Sequence, residues 1–236
     1  MDIAIIYKDK NLLVLNKPSG VLVHASGSKA VNQRPEATIT DWLLENYPEV
    51  KNIGDNPTQR PGIVHRLDRE TSGVLIIPRN QTTFEYLKGL FQTHQVSKTY
   101  TALVMGSVID DVGIIDKPIG IKTGTTKRSV HSDKLVKPAL TEYRVIRRLL
   151  IQKKECTLLS VQPKTGRTHQ IRVHLAAIGH PVVGDKIYGG KKALTLSLDR
   201  HFLHASAIEF TAPSGERVKL EAELPPELTV LLKSAQ

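Results

Sequence analysis

Cysteine is nearly absent from this chain. Cys156 stands alone in 236 residues, which excludes an intrachain disulfide and a cysteine-built zinc site. No apolar run approaches the ~20 residues that a membrane-spanning helix needs. The N-terminus, Met1-Asp2-Ile3-Ala4-Ile5-Ile6, has neither the basic region nor the cleavage pattern of a signal peptide. Nothing marks secretion, so a reducing cytoplasm is the expected location. Low-complexity tracts, internal repeats, a glycine-rich nucleotide loop and clustered carboxylates are also missing. Positive charge is what the chain has in excess: 33 Lys and Arg against 23 Asp and Glu, a net charge of +10. Such a surface attracts polyanions: RNA, DNA and anionic membrane all qualify, membrane least of the three, and it is not expected as a partner.

The apolar fraction, 40%, suffices for one large domain or two closely packed subdomains. Short strands are expected at Ile3–Tyr7, Leu12–Leu15 and Val21–His24, punctuated by Asp9-Lys10-Asn11 and Asn16-Lys17-Pro18-Ser19-Gly20. Residues 25–37 read as a loop. Thr38 or Thr40 can cap a short helix over Asp41–Tyr47, stopped by Pro48, and Asn80 can cap one carrying Phe84, Leu87, Leu90 and Phe91 on one face. Lys98–Gly106 alternates as a strand with Tyr100, Ala102 and Val104 on one side. Residues 107–138 are loop-rich and basic, with Lys117, Lys122, Lys127, Arg128, Lys134 and Lys137. Strands follow at 140–148 and 155–162, then a helix over Gln170–Ile178 with Thr168 as its cap. A last helix, about 225–233, opens with Pro225-Pro226.

The stretch Gly62-Ile63-Val64-His65-Arg66-Leu67-Asp68-Arg69-Glu70-Thr71-Ser72-Gly73 organises the rest. If residues 62–68 are extended, Val64, Arg66 and Asp68 share one face, and a carboxylate and a guanidinium leave a strand end together. Taken alone, this reads more readily as a surface ion-pair cluster, since most charge clusters are solvated faces. His65 to Gly73, however, resembles the signature of the RluA-type RNA pseudouridine synthases, in which the Asp of His-Arg-Leu-Asp is catalytic. Three further blocks resemble the same family in the same order. They are Asn-Lys-Pro-Ser-Gly with Val-Leu-Val-His at 16–24, Lys-Thr-Tyr-Thr-Ala at 98–102, and Pro-Lys-Thr-Gly-Arg-Thr-His-Gln-Ile-Arg-Val-His at 163–174. Family members often carry Pro where Ala25 follows His24. Gly179-His180-Pro181, Gly184-Asp185 and Leu203-His204-Ala205 fit as well, so the likeness covers about residues 6–224.

The resemblance implies an α+β fold, a mixed, largely antiparallel sheet in two halves flanking a basic RNA-binding cleft. It implies one catalytic domain over 1–236, without the extra N-terminal RNA-binding module that many relatives carry. Asp68 would be the catalytic residue, Tyr100 would stack near the uracil and help remove the proton at carbon 5, and Arg167 would pair with Asp68. Arg66 would fill the gap left by the flipped base, and Ile171 would pack beneath the site.

Asp68 acts on the ribose as nucleophile or as base, and both roles need it ionised, a state that a neighbouring arginine favours. The isomerisation involves no redox change and no net hydrolysis, so neither cofactor nor metal is expected. His169 and His174 invite a metal reading, but a spacing of five puts them on different helix faces and no His-Glu-x-x-His pattern exists. The expected partner is an rRNA or tRNA stem-loop, read by residues 25–61 and 107–138, with a monomer as the default state. Two alternatives are a ribonuclease using His65, His169 or His174, and a non-catalytic RNA-binding protein on the same scaffold.

Overall fold

The computed structural model describes residues 1–25, 37–125, 127–193, 196 and 198–235. Most of the expected loop at 25–37, and Thr126 in the basic segment, therefore lie outside the described residues. The chain divides into two compact units. The first comprises Met1–Val96 with Ala207–Ala222, and the second Ser97–Ser206 with Glu223–Gln236. Together their strands form a mixed, largely antiparallel α+β architecture with few helices.

In the first unit, β1 (Ala4–Lys8), β2 (Leu12–Lys17) and β3 (Ser72–Pro78) form an antiparallel run. Strand β3 reads Ser-Gly-Val-Leu-Ile-Ile-Pro and is buried at every position, as an unbroken apolar run requires when both faces are covered. The register sets Val14 opposite Ile76 and Leu15 opposite Leu75. Val14 and Ile76 join Leu87, Leu90, Ile208 and Phe210 in one core. Helix α1 (Ile39–Asn46) starts at Thr38, whose hydroxyl and the Asp41 carboxylate form a reciprocal capping box. A 3-10 turn, Pro48–Asn52, follows, and α2 (Gln81–Gln92) starts at Asn80, whose side chain accepts from the Thr83 amide. Both caps were legible in the sequence.

Val21–His24, expected as a strand, is not one. Its carbonyls serve the start of α1 instead: Leu22 accepts from the Ile39 amide at 2.9 Å and Val23 from the Thr40 amide at 3.0 Å. These are amides that a helix cannot satisfy internally.

The second unit contains β4 (Ser97–Met105), β5 (Val112–Asp116), β8 (Leu140–Ile151) and β9 (Lys154–Pro163), in the order β4-β9-β8-β5, all antiparallel. Between β5 and β8 lies a minimal ribbon, β6 (Gly120–Ile121) with β7 (Arg128–Ser129). The sequence reading of 107–138 as loop therefore misses three strands. Strand β5 escapes it because Val112 and Ile114 face solvent and Gly113 breaks the pattern. That glycine has a steric reason, since a Cβ there would run into the Tyr143 ring on the neighbouring strand.

Helix α3 (Gln170–Ala177), the short α4 (Gly190–Ala193) and α5 (Pro226–Lys233) complete this unit. Ile171 and Leu175 of α3 and Leu228 and Leu231 of α5 pack into a core with Leu103, Leu159 and Phe202. Strand β10 (Leu203–Thr211) contributes its last five residues to the first unit, where they pair with β11 (Arg217–Glu221).

Candidate active site

Residues 62–68 are irregular rather than extended, which corrects the strand expected there. Gly62 turns the chain at φ +68°, a conformation that side chains disfavour. Side chains then do what a strand ladder would have done. The His65 ring accepts a hydrogen bond from the Ile76 amide at 2.9 Å and stacks on Phe91 at 4.9 Å. Leu67 is buried, and Arg66 points to solvent. Asp68 opens a turn in which its carbonyl accepts from the Thr71 amide at 3.1 Å.

The loop after β2 clamps that turn. Lys17 is fully buried, and its ammonium donates to the carbonyls of Pro18 at 2.7 Å and of Arg69 and Thr71 at 3.0 Å. Ser19 donates its hydroxyl to the Glu70 carbonyl. Gly20 and Arg69 bond reciprocally, the Gly20 amide to the Arg69 carbonyl and the Arg69 Nε to the Gly20 carbonyl, both at 2.9 Å. A buried cation satisfied by several carbonyls costs much less than an unpaired one and fixes backbone that has no ladder of its own. The sequence reading took Asn16–Gly20 as a cleft-edge loop and gave Lys17 no role. The signal was available: a lysine at the end of a strand that opens Leu-Leu-Val-Leu.

Arg66 has a partner that the sequence did not assign. Its Nη1 donates to His24 Nε2 at 3.3 Å. Burial, then the Arg66 and Arg60 charges, push the His24 pKa down to about 4. His24 is therefore neutral and its Nε2 is the acceptor, which leaves the proton on Nδ1. That Nδ1 is buried and has no partner among the described residues.

Tyr100, Arg167 and Ile171 belong to the second unit. Tyr100 is half-buried on β4, opposite Val161, on the strand face that carries Ala102 and Val104. It packs against the core cluster of which Ile171 is a member. Two positions earlier, Lys98 has its ammonium near the Thr165 carbonyl at 3.4 Å, and burial pushes its pKa down to about 8.

The Arg167 turn is built by Gln170. The Gln170 Oε1 accepts from the Thr165 hydroxyl at 2.7 Å and from the Arg167 amide at 3.0 Å, while its Nε2 donates to Leu140 and Thr141. Arg167 Nε donates to the Pro138 carbonyl at 2.9 Å. Thr168, expected to cap α3, does not. The cap residue is His169 in the left-handed conformation at φ 58°, with no side-chain cap bond. Gln170 reaches back to the Arg167 amide ahead of the helix, and the His169 ring meets the Tyr188 hydroxyl.

The three histidines weighed for a ribonuclease are each engaged structurally. His65 and His169 bond as described, and His174 is fully buried between the Thr141 hydroxyl at 2.9 Å and the Lys117 carbonyl at 2.8 Å. Burial pushes the His174 pKa down, opposite to what an imidazolium acid needs.

Known proteins agree on the family. A sequence model described as RNA pseudouridylate synthase matches residues 11–177, a span that includes Arg66, Asp68, Tyr100, Arg167 and Ile171. A protein of Aquifex aeolicus described as an uncharacterized RNA pseudouridine synthase is 42% identical over 230 residues, covering 94% of this chain and 70% of that protein. A ribosomal large subunit pseudouridine synthase D of Borreliella burgdorferi is 37% identical over 236 residues, covering 98% and 68%. The solved structure of human RNA pseudouridylate synthase domain containing 1 matches with a TM-score of 0.77 at 28% identity, covering 96% of this chain and 86% of that one. With four motif blocks, the fold and these relatives in agreement, the chain belongs to the RNA pseudouridylate synthase family.

Proposed function

We propose that this chain, an isomerase of RNA uridine, acts on structured rRNA or tRNA by flipping the target uridine out of its stack, with Asp68 as the catalytic residue. Both units are read as one catalytic domain over residues 1–236 with a basic RNA cleft, acting as a cytoplasmic monomer without cofactor. The observation that carries the assignment is the clamp around Asp68. A fully buried Lys17, Ser19 and Gly20 fix the Arg69–Thr71 backbone immediately after it. Fixing a reacting group is worth orders of magnitude in rate, and a clamp of this kind suits a residue that must meet a flipped nucleotide in one orientation.

In the reaction the N-glycosidic bond breaks, the uracil turns, and carbon 5 bonds to the ribose. The carbon-5 proton is lost and the released ring nitrogen gains one, so atoms balance without a co-reactant. Asp68 serves the ribose as nucleophile or as base. Tyr100 stacks near the uracil and helps take the carbon-5 proton, with Ile171 packed beneath. Arg167 pairs with Asp68 and holds it ionised. Arg66 fills the vacancy left by the base, where a planar cation can hydrogen-bond neighbouring bases. Flipping costs a few kcal/mol and is cheapest in loops, which favours a stem-loop target.

RNA tritiated at carbon 5 of uridine tests the assignment. Wild type releases tritium, whereas Asp68→Asn releases none while its RNA affinity stays within about threefold, an affinity shift under ~1 kcal/mol. Release by the variant at the wild-type rate would remove Asp68 from the mechanism.

A further inference from the structure

Among its described residues, the basic segment 117–138 is held internally by a minimal ribbon, an Ile119–Lys137 bridge and a few turn bonds such as Ile121 amide to Lys134 carbonyl. Strands β6 and β7 pair through only Gly120 with Ser129 and Ile121 with Arg128. A two-stranded ribbon of ordinary length is marginal in water, and this one is shorter. Its exposed cations, Lys122, Lys127, Lys134 and Lys137, thus sit on a slender element, and bonds from it to the rest of the unit add to their order.

His174 holds the Lys117 carbonyl at the start of the segment, and Tyr188 tethers its middle. The Tyr188 hydroxyl accepts a hydrogen bond from the Arg128 backbone amide at 3.0 Å and meets His169 Nδ1 at 2.8 Å. One oxygen thus joins β7 to the residue that turns the chain between Arg167 and α3. The ring is held as well: it lies edge-on to His169, the Arg172 guanidinium stands 5.2 Å from its centre, and it packs with Ile119, Val130 and Val173.

Tyr188 is itself anchored. Arg172 and Asp185 form a buried two-point ion pair, Nε to Oδ2 at 2.7 Å and Nη2 to Oδ1 at 2.9 Å. The same Oδ1 accepts the Ile187 amide at 2.9 Å and the Tyr188 amide at 3.0 Å. The chain leaves this segment under a further tether, the bond from Arg167 Nε to the Pro138 carbonyl. The turn that carries Arg167 and the basic ribbon are consequently bound to one another at two places.

We propose that Tyr188 is a positioning residue for RNA, whose hydroxyl latches the basic ribbon 117–138 to the Arg167–His169 turn and so presents the ribbon's cations to RNA phosphates in one arrangement. The proposal rests on the pseudouridine synthase reading for its substrate. The latch acts before RNA arrives, so losing it adds an ordering cost to binding without removing a phosphate contact.

Tyr188→Phe tests this, because it keeps the ring and deletes only the hydroxyl. Hydrogen exchange at the Arg128 amide should accelerate roughly three- to tenfold, and KM for an RNA that the wild type modifies should rise by a similar factor, the size of one net hydrogen bond. The turnover number should stay within about twofold, as expected when binding rather than the chemical step is impaired. The dependence of binding on salt should also stay at the wild-type slope, whereas Lys127→Ala or Lys134→Ala should reduce that slope by ~0.9 through loss of a phosphate contact. A second variant, His169→Asn, tolerates the left-handed backbone and frees the hydroxyl from its other partner, and should give intermediate exchange at Arg128.

Unchanged exchange at Arg128 in Tyr188→Phe would overturn the latch. Faster exchange with unchanged KM would overturn its role in presenting RNA. Failure of the synthase reading is distinguishable: wild type would then modify no RNA, while the exchange result would still report on the latch.

Discussion

At the scale of single residues, His24 carries a consequence for Arg66. Neutral His24 accepts from Arg66 through Nε2, a role that needs an acceptor at that atom and no proton transfer. Glutamine can place its amide oxygen near the position of Nε2, whereas alanine cannot. His24→Ala should therefore lower the rate of pseudouridine formation about three- to tenfold, the worth of one hydrogen bond, and His24→Gln should recover most of it. Equal losses in both variants would show that His24 acts by packing instead. Lys98 yields a pH dependence. Its side chain is half-buried, and desolvation lowers its pKa from 10.5 to about 8. Between those values the unfolded chain holds the proton more often than the folded one, so this group makes stability rise with pH, and its cost is fully present below about pH 8. Urea unfolding should find Lys98→Met more stable than wild type at pH 7, with the advantage shrinking above pH 8; an advantage constant with pH would contradict this. The motif residues were legible, but these two roles were not. A sequence names a histidine or a lysine without saying what covers it.

At the scale of elements, legibility followed the source of each element's hydrogen bonds. Helices α1 and α2 were readable because Thr38 and Asn80 cap them locally. Strands β2, β3, β4 and β9 were readable from apolar runs or alternation. The segment 62–68 was misread because its apolar residues alternate like a strand while its partners are side chains, with His65 holding the Ile76 amide. The cap of α3 was misread because His169, in the left-handed conformation, takes the cap position and no side chain caps the helix, while Gln170 spends its four bonds on the preceding turn and β8. The β8–β9 connection also hid, since its residues Gln152 and Lys153 both take positive φ, 49° and 63°, without glycine or asparagine. Two-residue hairpins of this shape favour Asn-Gly. Replacing Gln152 by Asn and Lys153 by Gly should therefore stabilise the protein by about 1 kcal/mol in chemical unfolding, at no cost to activity. A loss of stability would mean that the two side chains contribute more than the strain they impose.

At the scale of the whole molecule, composition and chemistry agree. The charge of +10 suits a polyanionic substrate, and an isomerisation that balances within one nucleotide suits a chain without cysteine ligands or a nucleotide loop. The family and the α+β architecture were readable because four motif blocks in order constrain a chain far more than any one of them. Two halves were expected from the family resemblance, but their boundary was not readable, because β10 contributes to both units and no linker marks it. The identity of the RNA depends on surfaces that read shape, which the motif blocks do not specify. The most direct test is pseudouridine mapping on total RNA from a strain lacking this gene, incubated with wild type or with Asp68→Asn. New pseudouridines in rRNA or tRNA made by wild type alone are the predicted result, and they would identify the target uridine. Identical sites with both proteins, or none with wild type on RNA that it binds intact, would contradict the account.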